Sequence, residues 1–340
     1  MSRNDVSAAE SVLTTTRSAG GEGRAKAQAS IEAKKGREYE VRINNYRQLT
    51  EAACQAGPGT IGVAWPDEHE VLLAVAEARQ LGLAEFILVG DEQTIRGEAE
   101  RNQVDLTGMT LLQEASPQAA AQRVMRLIAD GEAEIAMKGR VETRLFLQAV
   151  LDKEFGLRTG RLLTHVAVFE IPDFPRLILV SDAGVVIEPT LEQKAEIVQN
   201  AIDVALKLGI EQPKVAILAA NEMVNPKLPV SIDAASLAKM ADRGQIRGGL
   251  VDGPLALDNA VSVEAARVKK IVGAVAGEAD VLVTPNLEAG NMLAKSITYF
   301  ARGIMIGVVV GAKAPLIVNS RSDSHAAKLM SIALSVLLTK

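Results

Sequence analysis

The chain has 340 residues, 48% of them hydrophobic and 23% charged with the signs mixed, and a formal net charge of −5 at pH 7. Such a composition buries a large core, at this length in two domains, and excludes disorder of the whole chain. The acidic balance and the 3% aromatic content exclude a nucleic-acid binder, which needs a clustered basic face and rings for bases to stack on, so any anionic ligand requires a locally basic site.

In chain order, the first residues, MSRNDVSAAESVLTTTRSAG, hold no apolar stretch of the kind that marks a secretory signal. Residues 1–40 are rich in Ala, Ser, Gly, Lys and Glu with little apolar periodicity, and read as an extension, part flexible and part helical. TEAACQAG reads as a helix carrying the single cysteine, Cys54, which can form no intramolecular disulfide and is expected as a small buried hydrophobe.

Short apolar runs then alternate with amphipathic stretches: TIGVAW, EHEVLLAVAEARQLG, AEFILVG, DEQTIRGEAERN. This strand–helix alternation predicts parallel sheets built from βαβ units. It continues through EIAMKG, RLILVSD, KVAILAA, GGLVDGP, DVLVTPN and IGVVVGA, each breaking into small polar residues at its carboxyl end. In open parallel sheets ligands bind beyond those ends. Thr190 and Gln193 form a capping-box pattern ahead of an apolar face of Leu191, Ala195, Val198, Ile202, Ala205 and Leu206, so a helix is predicted over 190–209. GIMIGVVVGA is a run of ten apolar and small residues against the ~20 that a bilayer demands, and reads as a buried strand. The chain is therefore expected in the cytoplasm, without membrane attachment.

The loops carry the chemistry. AMKGRVET places Lys138, Gly139, Arg140 and Thr143 after a strand, VDGPLALDNAVS places Asp252, Gly253, Pro254 and Asp258, and VTPNLEAGNMLAK supplies Thr284, Asn286, Gly290, Asn291 and Lys295. Any one of them taken alone is equally a packing turn; all of them on one edge of the sheets suggest a site. In VNSRSDSHAAKLMSIALSV, Leu316–Val318 fits a strand and Leu329, Ile332, Ala333, Val336 and Leu337 follow helical spacing, which leaves residues 319–325 as the turn between them. The free N–H groups at that helix start attract anions, and Arg321 and Ser320 add a guanidinium fork and a hydroxyl suited to phosphate. The alternative is that Ser320 or Ser322 caps the helix and Arg321 is a solvated charge.

Several motifs are missing. GVVVGAK lacks the spacing and the Ser or Thr of a phosphate-binding P-loop, no G-x-G-x-x-G follows a strand, and no G-x-S-x-G elbow is present. His69, His165 and His325 lie far apart with no ligand spacing, so no metal is expected, and each reads as a surface or packing histidine. His325 alone adjoins the proposed anion site.

The segments DGPLALDNAVS, ADVLVTPNLEAGNMLAKSI, APLIVNSRSDSHAAKLMSIALSV, EIAMKGRVET and KEFGLRTGRLLTHVAVFEI resemble the phosphate acetyltransferase and phosphate butyryltransferase family, from about residue 45 to the end. GLRTGRLLTHVAVFEI and SDAGVVIEPTLEQKAEI are closer to the butyryl branch. The resemblance implies reversible transfer of a short acyl group, butyryl favoured over acetyl, between coenzyme A and inorganic phosphate. Acyl-CoA and phosphate are then the partners, coenzyme A is a substrate, and neither a bound cofactor nor a metal is implied. It implies two α/β domains with mostly parallel sheets and a cleft between them, an isocitrate dehydrogenase-like layout, usually as a homodimer. The carboxyl-terminal segment completes the first domain, pairing 41–170 with 312–340 and leaving 171–311 as the second. Ser320, Arg321 and Asp323 become the catalytic candidates, and Lys138, Gly139, Thr143, Thr284, Asn286, Gly290, Asn291 and Lys295 the substrate-binding ones.

The sequence departs from the family in three places. The acetyl branch has an aspartate six residues after the arginine of the Ser-Arg pair, where this chain has Ala327; Asp323 is the nearest replacement as a base, and equally a helix N-terminal acid. Val185 and Val186 stand where a small residue and asparagine are expected, which alters the acyl pocket. Arg140 stands where the butyryl branch is often apolar, and adds a cation to the cleft or faces solvent. Two other readings stay open: a noncatalytic coenzyme A or acyl-phosphate binding module, motivated by Ala327, and a metal-dependent decarboxylating dehydrogenase with Asp252 and Asp258 as ligands.

Overall fold

The runs that break at small polar residues become eleven strands of one sheet in the computed structural model, which describes residues 42–340. Helix α1 (Tyr46–Ala56) leads into β1 (Gly59–Ala64), α2 (His69–Gln80), β2 (Ala84–Gly90), α3 (Glu92–Arg101), β3 (Thr110–Gln113), α4 (Pro117–Ala129), β4 (Ile135–Lys138) and α5 (Thr143–Val150). Two strands follow, β5 (Thr164–Glu170) and β6 (Ile178–Ser181), then α6 (Leu191–Lys207), β7 (Lys214–Leu218), α7 (Pro229–Asp242) and β8 (Leu250–Leu255). Short helices α8 (Leu257–Val261) and α9 (Val263–Val268) precede β9 (Val281–Val283), α10 (Leu287–Phe300), β10 (Ile304–Val310), β11 (Leu316–Ile317) and the last helix, α11 (His325–Thr339).

The strand order is β3-β2-β1-β4-β11-β10-β5-β6-β9-β7-β8. Pairing is parallel except at β11–β10, β10–β5 and β5–β6 in the middle. The architecture is therefore mixed α/β with a large, mostly parallel sheet. IGVVVGA, expected as one more parallel strand, is antiparallel to both neighbours, and THVAVFE is a strand that the alternation did not announce. These reversals overturn the expectation that all the polar loops share one edge: β6 to β9 run opposite to β1 to β4, so their carboxyl ends face opposite edges.

Both faces of the sheet are buried, which is why the strands read as continuous apolar runs. On one face the core is continuous: Ile61, Met137, Val168, Leu179 and Val283 lie under α1, α2, α6, α7 and α11. On the other face it is split. Ala136, Val309 and Leu316 pack with α4 and α5, while Ala167, Phe169 and Leu282 pack with α8 and α10.

Local signals fix the helix starts. Thr190 and Gln193 make the reciprocal capping box ahead of α6, while Ser116 with Pro117 and Asn286 cap α4 and α10. The predicted helix over 190–209 is observed as Leu191–Lys207, although Leu206, placed on its apolar face, is 39% exposed. Cys54 is exposed instead of buried, with its thiol against the Leu81 carbonyl. No helix among the described residues is long and apolar enough to cross a membrane. The expectation of an extension over 1–40 lies outside the described residues.

Candidate active site

A cavity of about 330 Å³ opens where the second core is split, over the central antiparallel strands. Register explains why loops from both halves meet there. Ser181 at the end of β6 is opposite Val166, Val166 is opposite Val308, and extending the Val309–Leu316 pair by one residue sets Ile317 opposite Val308. The turns after β6 and β11 therefore leave the sheet from a single row. Ala183, Gly184 and Val185 come from the first turn; Val318, Asn319, Ser320 and Asp323 come from the second.

The β11–α11 turn is closed by its own polar groups. Asp323 Oδ2 accepts from the Ser320 amide at 2.8 Å and from Asn319 Nδ2 at 3.4 Å, and Asn319 Nδ2 also reaches Ser331 Oγ at 3.1 Å. Lys328, one turn into α11 and 2% exposed, donates to the carbonyls of Ser320 and Asp323. The helix head is not free as expected: Glu70 accepts from the His325 amide and Ser324 Oγ from the Ala327 amide. A protein carboxylate thus occupies part of the place foreseen for an anion.

Positive charge beside this turn comes from side chains. Among the described residues Lys138, at the buried end of β4, donates only to the Gly139 carbonyl, at 3.1 Å, and Arg321 is exposed with no ion pair. Burial, above all, holds the Lys138 ammonium below the usual lysine range; Glu68 and Asp323 oppose this, while Arg321 and Lys328 reinforce it by charge repulsion. Lys328 is lowered by burial too, opposed by Asp323, Glu68 and Glu70. Lys138, Arg321 and Lys328 thus gather positive charge beside the turn, with the carboxylates of Glu68, Glu70 and Asp323 opposing it.

Across the cavity, the turn after β6 is built around a buried carboxylate. Asp182 accepts from the amides of Gly184 and Val185 at 2.7 Å each and from that of His165 at 2.8 Å. Thr284 Oγ1 donates to the Asp182 carbonyl at 3.2 Å, and a Cβ on Gly290 would lie 2.2 Å from that oxygen. Ala183, Val185, Ala294 and Met305 make this wall apolar.

Of the eleven residues named from sequence, Thr143, Asn291, Lys295, Ser320 and Asp323 line the cavity, with Lys138 and Arg321 beside the same turn. Four lie off it in packing roles. Gly139 closes on the Trp65 carbonyl, which a Cβ would approach to 2.3 Å; Thr284 and Gly290 secure the Asp182 turn; and Asn286 caps α10, accepting from Ala289 N at 3.1 Å. Arg140 is half-exposed and paired with Asp67. Asp258 pairs with Lys269 at 3.0 Å, and Asp252 Oδ1 accepts from the Gly253 amide at 2.8 Å.

A model of the phosphate acetyl/butaryl transferase family matches residues 118–336. The chain belongs to that family. A phosphate butyryltransferase of Clostridium acetobutylicum is 45% identical over 278 residues, covering 82% of this chain and 92% of the relative. A phosphate acetyltransferase of Rhizobium meliloti is 42% identical over 294 residues, covering 86% and 93%. Among solved structures, a branched-chain phosphotransacylase from Enterococcus faecalis V583 superposes with a TM-score of 0.73 at 34% identity, covering 82% of this chain and 98% of that one.

Sequence reasoning missed two members of this transferase's cavity region. Lys328 is a lysine in a helix whose residues from Ala327 to Leu337 are nearly all buried, a contrast visible in AAKLMSIALSVLL. His165, read as a surface or packing histidine, lines the cavity; it shares a strand face with the buried Ala167 and Phe169, where a titratable ring is out of pattern.

Proposed function

We propose that the chain transfers a short acyl group, butyryl before acetyl, reversibly between coenzyme A and inorganic phosphate. One observation carries this reading: a single cavity flanked on one side by Lys138, Arg321 and Lys328 and walled on the other by Ala183, Val185, Ala294 and Met305. Phosphate and acyl-CoA are both anionic, so their encounter must overcome mutual repulsion. Fixed cations do so, and also stabilise the oxyanion that forms when phosphate adds to the thioester carbonyl. Holding the two reactants together removes a bimolecular encounter, worth up to about 7–11 kcal/mol in the best cases.

In this reading Arg321 clasps phosphate beside Ser320, Lys138 and Lys328 supply further charge, and Asp323 sets the shape of the turn through its bonds to Ser320 and Asn319. Asn291, Lys295 and Thr143 border the path of the coenzyme. The reaction oxidises nothing, and so needs neither nicotinamide nor a resident cofactor. Residues 41–170 with 312–340, and 171–311, are proposed as the two bodies flanking the cavity, in an isocitrate dehydrogenase-like layout. The split second core supports that division, and the continuous first core ties the halves together. Pairing into a homodimer is supported by apolar side chains left open on the second half, among them Phe300 at 88% and Val272 at 94% exposure. A cytoplasmic setting suits the supply of both substrates.

The test is release of free thiol from butyryl-CoA in phosphate buffer, read with a thiol reagent, with acetyl-CoA compared and excess chelator present. Thiol release that needs phosphate, exceeds that with acetyl-CoA and survives the chelator is expected. No release from any short acyl-CoA would overturn the proposal.

A further inference from the structure

We infer that the imidazole of His165 carries the proton in this reaction, a catalytic role that rests on the acyl-transfer reading above. The ring sits in a slot made by two glycines. A Cβ on Gly184 would approach its Cγ to 3.1 Å, and one on Gly307 would approach its Nε2 to 2.4 Å. A side chain at Gly307 would collide with the ring where it now stands, and one at Gly184 would press on it, so both glycines make room for the imidazole. Nδ1 is sealed from solvent with no hydrogen-bond partner, whereas the ring keeps accessible surface in the cavity. Nε2, at the opposite end of the ring, is the nitrogen left for a substrate.

The surroundings favour a neutral ring. Burial holds the imidazole below its ordinary value, opposed by the charges of Asp182 and Asp323. Lys295, from α10, borders the same cavity; the face of β10 brings only Met305, Ile306, Gly307 and Val309. Other bases are more engaged. Asp182 is committed to three backbone amides, and Asp323 spends one oxygen on its own turn. A neutral imidazole with an open nitrogen is in the form that can accept a proton near neutral pH, although burial makes it a weaker base than a free one.

The step balances. An oxygen of monohydrogen phosphate bonds to the thioester carbonyl carbon while the proton that phosphate carries passes to Nε2. The carbon–sulfur bond then breaks with its electron pair on sulfur, and the imidazolium returns the proton to that sulfur. Acyl phosphate, free thiol and neutral imidazole result, and nothing is oxidised or reduced. In reverse, Nε2 takes the proton of the coenzyme A thiol as sulfur attacks the acyl phosphate.

The test is His165→Gln, which keeps a polar planar group and removes the base. Turnover of butyryl-CoA with phosphate should fall by ~10² to 10⁴, as for loss of a general base, while calorimetric affinity for butyryl-CoA stays within about threefold. In His165→Gly the slot should admit free imidazole and recover turnover in proportion to its neutral fraction, which a purely structural histidine would not show. Turnover within about tenfold of the native chain, a matching loss of butyryl-CoA affinity, or no rescue in a folded glycine variant overturns the inference. So does a larger loss in Asp323→Asn, which hands the proton to that carboxylate. Were the native chain itself to release no thiol, the acyl-transfer reading would fail; an active native chain with an active glutamine variant removes only His165.

Discussion

The two turns that meet at the cavity are built in opposite ways. After β11, Ser320, Arg321 and Ser322 are exposed, and the turn is held by bonds among its own polar groups and by Lys328. After β6, Asp182 is 3% exposed, three amides surround its carboxylate, and α10 packs on its carbonyl through Gly290. The first turn presents charge that water can reach; the second is part of the core. The charge of Arg321 therefore sits where it can be altered without unfolding the chain, and the shape of the second turn sits where it cannot.

Substitutions should separate the two. Between these two turns the larger effect on turnover is expected for Arg321→Ala, and it should leave the fold intact, since the guanidinium is exposed with no ion pair among the described residues. Acyl-phosphate formation should fall by ~10² to 10³, the range for loss of one fixed donor at a transition state, with the urea midpoint unchanged. Near-native turnover would take Arg321 out of the mechanism. Gly290→Ala should do the converse: a Cβ 2.2 Å from the Asp182 carbonyl forces backbone apart, at a cost of about 1–3 kcal/mol in urea unfolding. An unshifted midpoint would mean that the second turn is softer than its packing indicates. For Lys328→Met we expect a roughly tenfold rise in the KM for phosphate with stability changed by less than ~1 kcal/mol, because relief from desolvating a buried ammonium offsets the bonds lost to the Ser320 and Asp323 carbonyls. A larger fall in stability would instead make Lys328 a structural clasp of the turn.

Much of this organisation was legible in the sequence because it follows from local rules. The strands announce themselves as apolar runs, α6 by its capping box, and Ser320, Arg321 and Asp323 by falling between a strand and a helix. What was not legible depends on pairing. Nothing in IGVVVGA tells that its neighbours run antiparallel to it, and that reversal decides which loops meet. Gly139, Thr284 and Gly290 read equally as ligand groups or packing residues, because close backbone approach and ligand approach ask for the same small residues; their contacts with the Trp65 and Asp182 carbonyls appear only in the fold. His165 was passed over for lack of sequence neighbours, although its slot comes from Gly184 and Gly307, far along the chain.

The smallest expected effect concerns the second wall and its dependence on pH. Burial depresses the His165 imidazole in the folded chain, while in the unfolded chain it titrates near the ordinary value of about 6.5. As pH falls below about 6.5 the unfolded chain takes up a proton that the folded one refuses, so the stability is present above that value and is lost on the way down to the folded one. Lys138 and Lys328, also depressed, act in the same direction below their ordinary value of about 10.4, and their share of the slope is common to the native chain and His165→Gln. Urea midpoints of the native chain should therefore drop between about pH 7.5 and about pH 5.5, and His165→Gln should drop less, by at most about 1.4 kcal/mol per pH unit. Equal slopes for the two proteins would mean that Asp182 and Asp323 cancel the effect of burial on the ring, and a steeper drop in His165→Gln would mean that they outweigh it.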